Sequence, residues 1–154
     1  MTQNKTADSD SGIDRRTVLK TVGVSAAAAT GVAGMNTASA AAGTYTGESY
    51  NGRYYGKYVP SSYDGSEAVP LVMMLHGCTQ NGDGFKDETQ MNQVAEQEGF
   101  IAIYPEETEG LNGCWNWFED SNTLRGQGQA QELSEGIVGQ VQANENIDED
   151  RIYV

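Results

Sequence analysis

The sequence predicts an α/β fold in which a parallel sheet sits behind an antiparallel hairpin, and three observations carry that expectation. Two short runs, Leu71-Val72-Met73-Met74-Leu75 and Phe100-Ile101-Ala102-Ile103-Tyr104, are continuously apolar rather than alternating, the pattern of strands buried on both faces. Apolar residues at helical spacing follow each of them. Ahead of both, Asn51-Gly52 separates two tyrosine-rich runs, a strong signal for a two-residue hairpin turn. Two strands followed by strand, helix, strand, helix, strand is the order of an α/β sandwich.

Each element has its own warrant. The hairpin strands are expected over 44–50 and 53–59, and Pro60-Ser61-Ser62-Tyr63-Asp64-Gly65 is a turn-rich connection. Pro70 introduces the strand 71–75, which stops abruptly at His76-Gly77. After the loop Gly82-Asp83-Gly84, residues Phe85, Met91, Val94 and Ala95 share one face of a single helix that ends near Gly99. The strand 100–104 is closed by Pro105. Residues 106–128 form a long loop, and a loop of that length inside a domain is usually functional or disordered. It carries Asn112-Gly113-Cys114-Trp115-Asn116-Trp117-Phe118. Leu133, Ile137, Val138 and Val141 mark the next helix, Asp148-Glu149-Asp150 a polar turn, and Arg151 the start of another strand. There is no internal repeat.

Residues 1–40 read as an address rather than as fold. Asp14-Arg15-Arg16-Thr17-Val18-Leu19-Lys20 resembles a twin-arginine export signal. The uncharged stretch 21–33 is too short to span a bilayer, which needs about 18 apolar residues or more. Ala38-Ser39-Ala40 then offers a small-x-small cleavage site, with the alternative that the segment is a plain N-terminal tail. Twin-arginine machinery is the implied partner, secretion the implied location, and no membrane anchor is expected. The domain proper is 41–154.

The chain of 154 residues carries 22 acidic and 9 basic side chains, net −13. After Ala40 the balance is 19 acidic to 5 basic, net −14. Such a chain has no basic cluster with which to neutralise phosphates, so nucleic acid is excluded as a partner. The acids are spread from Glu48 to Asp150 rather than gathered in a tail, which favours a salt-adapted secreted protein. Asp83, Asp87 and Glu88 match no calcium-loop spacing, and no metal or other cofactor is expected.

Tyr58-Val59-Pro60, the string from Leu71 through His76-Gly77-Cys78-Thr79-Gln80-Asn81, Tyr104-Pro105-Glu106, and the run Asn112 to Phe118 together resemble the secreted esterase family of poly(3-hydroxybutyrate) depolymerases, with feruloyl and acetylxylan esterases as relatives. The resemblance implies the N-terminal part of an α/β-hydrolase fold and hydrolysis of polyester or short acyl and feruloyl esters by a Ser-His-Asp mechanism. It implies that the backbone N–H of Cys78 is one oxyanion donor, since that donor lies in the loop after the third strand. Each such donor is typically worth about 3 to 4 kcal/mol to the transition state. Gly77 permits close approach of chain and substrate. His76 is the only histidine, but the catalytic base of this fold follows the nucleophile in chain order, so His76 is read as a loop-orienting residue.

Cys78 and Cys114 are the only cysteines. In an exported protein such a pair suggests a disulfide, here tying the oxyanion loop to the aromatic loop, against the alternative of two buried thiols. Trp115, Trp117 and Phe118 either line a substrate cleft or pack under the loop. No Gly-x-Ser-x-Gly motif occurs in the sequence. The fold is therefore expected to be cut short before its nucleophile elbow, with serine, acid and base beyond Val154. The chain as given should be inactive and fold poorly, with Ile152 and Val154 facing water. The other readings are a secreted polymer-binding protein without catalysis and an inactive gene remnant.

Overall fold

A computed structural model describes residues 42–154; the expected export signal over 1–40 lies outside the described residues. Strands β1 (Thr44–Tyr50) and β2 (Arg53–Val59) form the hairpin with the expected bounds. Asn51 and Gly52 both take positive φ, 50° and 90°, the backbone that a tight two-residue turn demands. Strand β3 (Val69–Met73) and strand β4 (Ile101–Pro105) pair in parallel, and β5 (Ile147–Tyr153) pairs in parallel with β3. The sheet order is β1-β2-β4-β3-β5, with β2 antiparallel to β4. The expected hairpin and parallel strands thus form one mixed sheet.

Both faces of that sheet are covered. On one face Tyr55, Leu71, Met73, Ile101 and Ile103 pack with Ile137, Val138 and Val141. On the other, Tyr58, Ala102 and Tyr104 pack with Ala95, flanked by Met74, Met91 and Phe100. Every residue of β4 is buried, which explains why its sequence does not alternate.

Three expectations are corrected. The single helix 85–99 is two helices, α1 (Gly82–Thr89) and α2 (Met91–Glu98). Gln90 between them adopts φ 55°, its backbone N–H closing α1 on Lys86 O, so the chain turns where the apolar spacing alone runs straight through. The polar turn 148–150 lies inside β5. Pairing passes from Val69 with Ile147 to Leu71 with Ile152, so Asp148-Glu149-Asp150 bulge out of the ladder. Ile152 is half-buried against the core rather than facing water, while Val154 is exposed.

The long connection after β4 holds a single 3-10 turn (Leu111–Gly113) and the one-turn helix α3 (Asp120–Thr123). A helical rod over 128–144 follows, made of α4 (Gly128–Gln131), a π-helical turn (Glu132–Ile137) and α5 (Val138–Asn144).

Candidate active site

The site is assembled where β3 and β4 end side by side. Past Met73, the Met74 N–H still donates to Ile103 O at 2.8 Å, and the chain then leaves the sheet through His76-Gly77-Cys78. His76 is buried. Its Nε2 accepts the backbone N–H of Glu107 at 3.0 Å. That nitrogen therefore carries no proton, and Nδ1, 2.9 Å from Gly77 O, is the donor. The ring points into the protein.

Gly77, Cys78 and Thr79 are exposed. The Gly77 N–H donates to the Gln80 side chain at 2.7 Å, and the Thr79 N–H to Asn112 O at 2.8 Å. Thr79 takes φ 65°, a costly backbone for a β-branched residue that persists only where its surroundings impose it. A disulfide joins Cys78 to Cys114. Among the described residues the Cys78 N–H has no acceptor, so a donor stands free on an exposed loop that is tethered on both sides.

Beneath this loop lies a buried ionic cluster. Glu107 is fully buried; one of its oxygens accepts the backbone N–H groups of Glu109 and Gly110, each at 2.7 Å. The other accepts from Arg53 Nη1 at 3.0 Å and from the Gln129 side chain. Arg53 also donates to Glu106 O at 2.8 Å, and its Nε lies 2.9 Å from Glu132 in a charge contact that lacks hydrogen-bond geometry. The guanidinium stands over the Trp115 ring, 5.7 Å from its centroid. Trp115 in turn packs against His76, with ring centroids 5.3 Å apart and planes tilted by 44°, and donates Nε1–H to His76 O at 2.8 Å. A side chain at position 110 would meet Cys114 O at 1.9 Å, so only glycine lets the loop close over Glu107.

A family model described as esterase PHB depolymerase matches residues 53–154. The chain belongs to that family. It is 36% identical to poly(3-hydroxyalkanoate) depolymerase C of Paucimonas lemoignei over 100 residues, which are 64% of this chain and 23% of the relative. It is 33% identical to feruloyl esterase B of Neurospora crassa over 100 residues, 63% of this chain and 32% of that enzyme. The chain thus spans under a third of either relative. The acetyl xylan esterase of Aspergillus awamori is similar in fold, with a TM-score of 0.62, 22% identity, and coverage of 71% of this chain and 41% of that one.

Within this esterase-family domain the aromatic candidates separate. Trp115 and Trp117 border a cleft of about 300 Å³ with Leu75, Leu133, Ala130, Asn122 and Gln129. Trp117 is 71% exposed and Phe118 62%, in edge-to-face contact with each other, but Phe118 does not border the cleft. No cluster of possible metal ligands occurs among the described residues. Sequence reasoning missed Arg53, Glu107, Gln129 and Glu132. One signal for Arg53 was available: it alternates with Tyr55 and Lys57 on one face of a strand whose apolar members face the core, and a cation in such a register is buried and must be paired.

Proposed function

We propose that this chain forms the oxyanion-loop half of an exported carboxylic-ester hydrolase, whose nucleophile, acid and base are supplied by residues following Val154. The observation that carries the reading is the unpartnered Cys78 N–H at the exposed end of β3, held by the disulfide on one side and the buried His76 on the other. A tetrahedral ester intermediate puts negative charge on its carbonyl oxygen, and a donor that needs no reorganisation stabilises that charge most. The apolar cleft bordered by Leu75, Trp115 and Trp117 begins one residue before His76 and suits the acyl part of a polyester or of a short acyl or feruloyl ester. His76 positions the loop and takes no proton from substrate. No cofactor enters this chemistry.

The relatives' printed activities, depolymerisation of a polyhydroxyalkanoate and hydrolysis of feruloyl or acetylxylan esters, mark the substrate range to assay. The test compares residues 41–154 with a longer chain read through the downstream codons, both in molar KCl with p-nitrophenyl acetate. Turnover is expected only in the longer chain, from a serine in a Gly-x-Ser-x-Gly turn shortly after Val154. Turnover by residues 41–154 that survives purification would overturn the reading. Export is tested separately: replacing Arg15 and Arg16 by Lys should retain precursor in the cell, and normal secretion of that variant would exclude the twin-arginine route.

One observation favours a second reading. Trp117 and Phe118 are exposed together, and adjacent exposed aromatics suit adhesion to an apolar polymer. Pull-down of the chain on poly(3-hydroxybutyrate) granules, lost on Trp117→Ala with no turnover from any longer chain, would support polymer binding without catalysis.

A further inference from the structure

We infer that Glu107 is a positioning residue that fixes the direction of the Cys78 N–H through His76. The inference rests on the reading of that N–H as an oxyanion donor, and it adds a residue which that reading does not use.

The relay has three links. The Glu107 carboxylate is fully buried and takes four donors, from Arg53, Gln129 and the backbones of Glu109 and Gly110. A carboxylate satisfied in this way has one orientation, and it pins the turn that follows β4. The backbone N–H of Glu107 is thereby aimed at His76 Nε2, 3.0 Å away. An N–H at that place selects the tautomer: Nε2 must accept, so Nδ1 must hold the proton and donate to Gly77 O at 2.9 Å. The last link is covalent. Gly77 C=O and Cys78 N–H belong to one planar trans peptide, so they point in opposite directions. Drawing the carbonyl inward to His76 turns the N–H outward, where it has no acceptor among the described residues. Gln80 N–H, 3.2 Å from the same carbonyl, reinforces the orientation.

Two other features would have no purpose if Glu107 merely filled space. Burying a carboxylate costs more than burying an apolar side chain of its size even when it is fully hydrogen-bonded, and Trp115 contacts both His76 and Arg53, 5.3 Å from the imidazole and 5.7 Å from the guanidinium.

The test uses the full chain labelled with 15N on histidine and on the backbone. In the unaltered protein His76 should show a protonated Nδ1 and a bare Nε2; a protonated Nε2 would overturn the inference without any variant. In Glu107→Gln the amide nitrogen meets donors whichever way it turns, Arg53 and Gln129 on one side or the Glu109 and Gly110 N–H groups on the other, so the network opens, and His76 should lose its single tautomer while the Cys78 amide resonance shifts. Glu109→Gln, whose side chain takes no part, should leave both unchanged. Should Glu107→Gln fail to fold, Gln129→Leu removes one donor of the four and should produce the same two changes in smaller measure. A folded Glu107→Gln or Gln129→Leu protein with His76 and Cys78 signals unmoved overturns the relay. In the longer chain of the esterase assay, Glu107→Gln should lower kcat tenfold to a hundredfold, up to the loss of one oxyanion donor, with KM within about twofold, the signature of an interaction made only in the transition state. Unchanged kcat beside a shifted Cys78 amide would overturn the oxyanion reading while leaving the relay intact, so the two failures are distinguishable.

Discussion

At the scale of single residues, polar side chains here are placed by what they must accept or donate. Glu96 on α2 takes hydrogen bonds from the hydroxyls of Ser61 and Tyr58 and from the Ser61 and Gly43 backbones. The Ser61 hydroxyl, then Tyr58, hold its carboxyl far below the ordinary 4.5, at about 2. A depressed carboxylate contributes stability that is complete above the unfolded value and disappears as pH falls toward the folded one. Glu96→Gln should therefore be less stable than the parent above about pH 5, and the difference in urea midpoint should close between pH 4.5 and 2. A gap that persists at pH 2 would show that the hydrogen bonds work without the charge. Lys57 is held the opposite way: burial alone would lower it, but contacts with Glu145 and Glu48 at 2.6 and 2.7 Å keep it above its ordinary value. Cys78 and Cys114 are 36 residues apart, and closing a loop of that size restricts the unfolded chain by about 3 to 4 kcal/mol. Dithiothreitol should lower the unfolding midpoint of the parent and leave that of the double variant Cys78→Ser, Cys114→Ser untouched; equal sensitivity of both would argue against the bridge.

At the scale of elements, the junction between α1 and α2 shows where sequence stops being informative. Gln90 holds a left-handed backbone, φ 55°, at a cost of order 1 kcal/mol that glycine does not bear. Gln90→Gly should therefore raise stability by a few tenths to 1 kcal/mol, less what the freer unfolded chain takes back. Gly99→Ala, at φ 72°, should lower it by about 1 kcal/mol; thermal melts of the two variants moving in the same direction would refute the strain argument. Gly99 was legible as a helix stop because its residue type matches its backbone. Gln90 was not, since glutamine is a good helix former and tertiary packing of Met91 and Ala95 overrode it. The hairpin was legible to the residue because Asn51-Gly52 has one favoured turn. The bulge in β5 was not, because three consecutive acids read equally as a turn or as a looped-out stretch of strand. Of the candidate site, the His76 to Cys78 string and the aromatic loop were picked out by their resemblance to an esterase family, which composition and spacing alone do not supply. Glu107 was not: it is one acid among 19 after Ala40, and only the fold distinguishes the one that is buried.

At the scale of the whole molecule, charge decides where the fold is stable. After Ala40 the chain carries net −14 with five cations. Two of them, Arg53 and Lys57, are buried and each lies between two carboxylates. Lys86 and Arg151 are committed to their neighbours Asp87 and Asp148. Among the described residues most of the other acids are exposed, and their mutual repulsion opposes compaction. Salt acts on these two populations differently. The screening length falls from about 10 Å at 0.1 M to about 3 Å at 1 M, which quenches repulsion between surface carboxylates, while buried pairs are screened far less. Stability should therefore rise with KCl rather than fall, and the rise should be steepest below 1 M. Thermal unfolding followed by circular dichroism from 0.05 to 2 M KCl measures this directly. Replacing the exposed pair Glu149 and Asp150 by Gln and Asn should raise the low-salt midpoint and flatten the salt dependence, without changing the midpoint at 2 M. A parent whose midpoint falls as KCl is added would mean that its surface ion pairs outweigh its repulsion, and the salt-adapted reading would go with it.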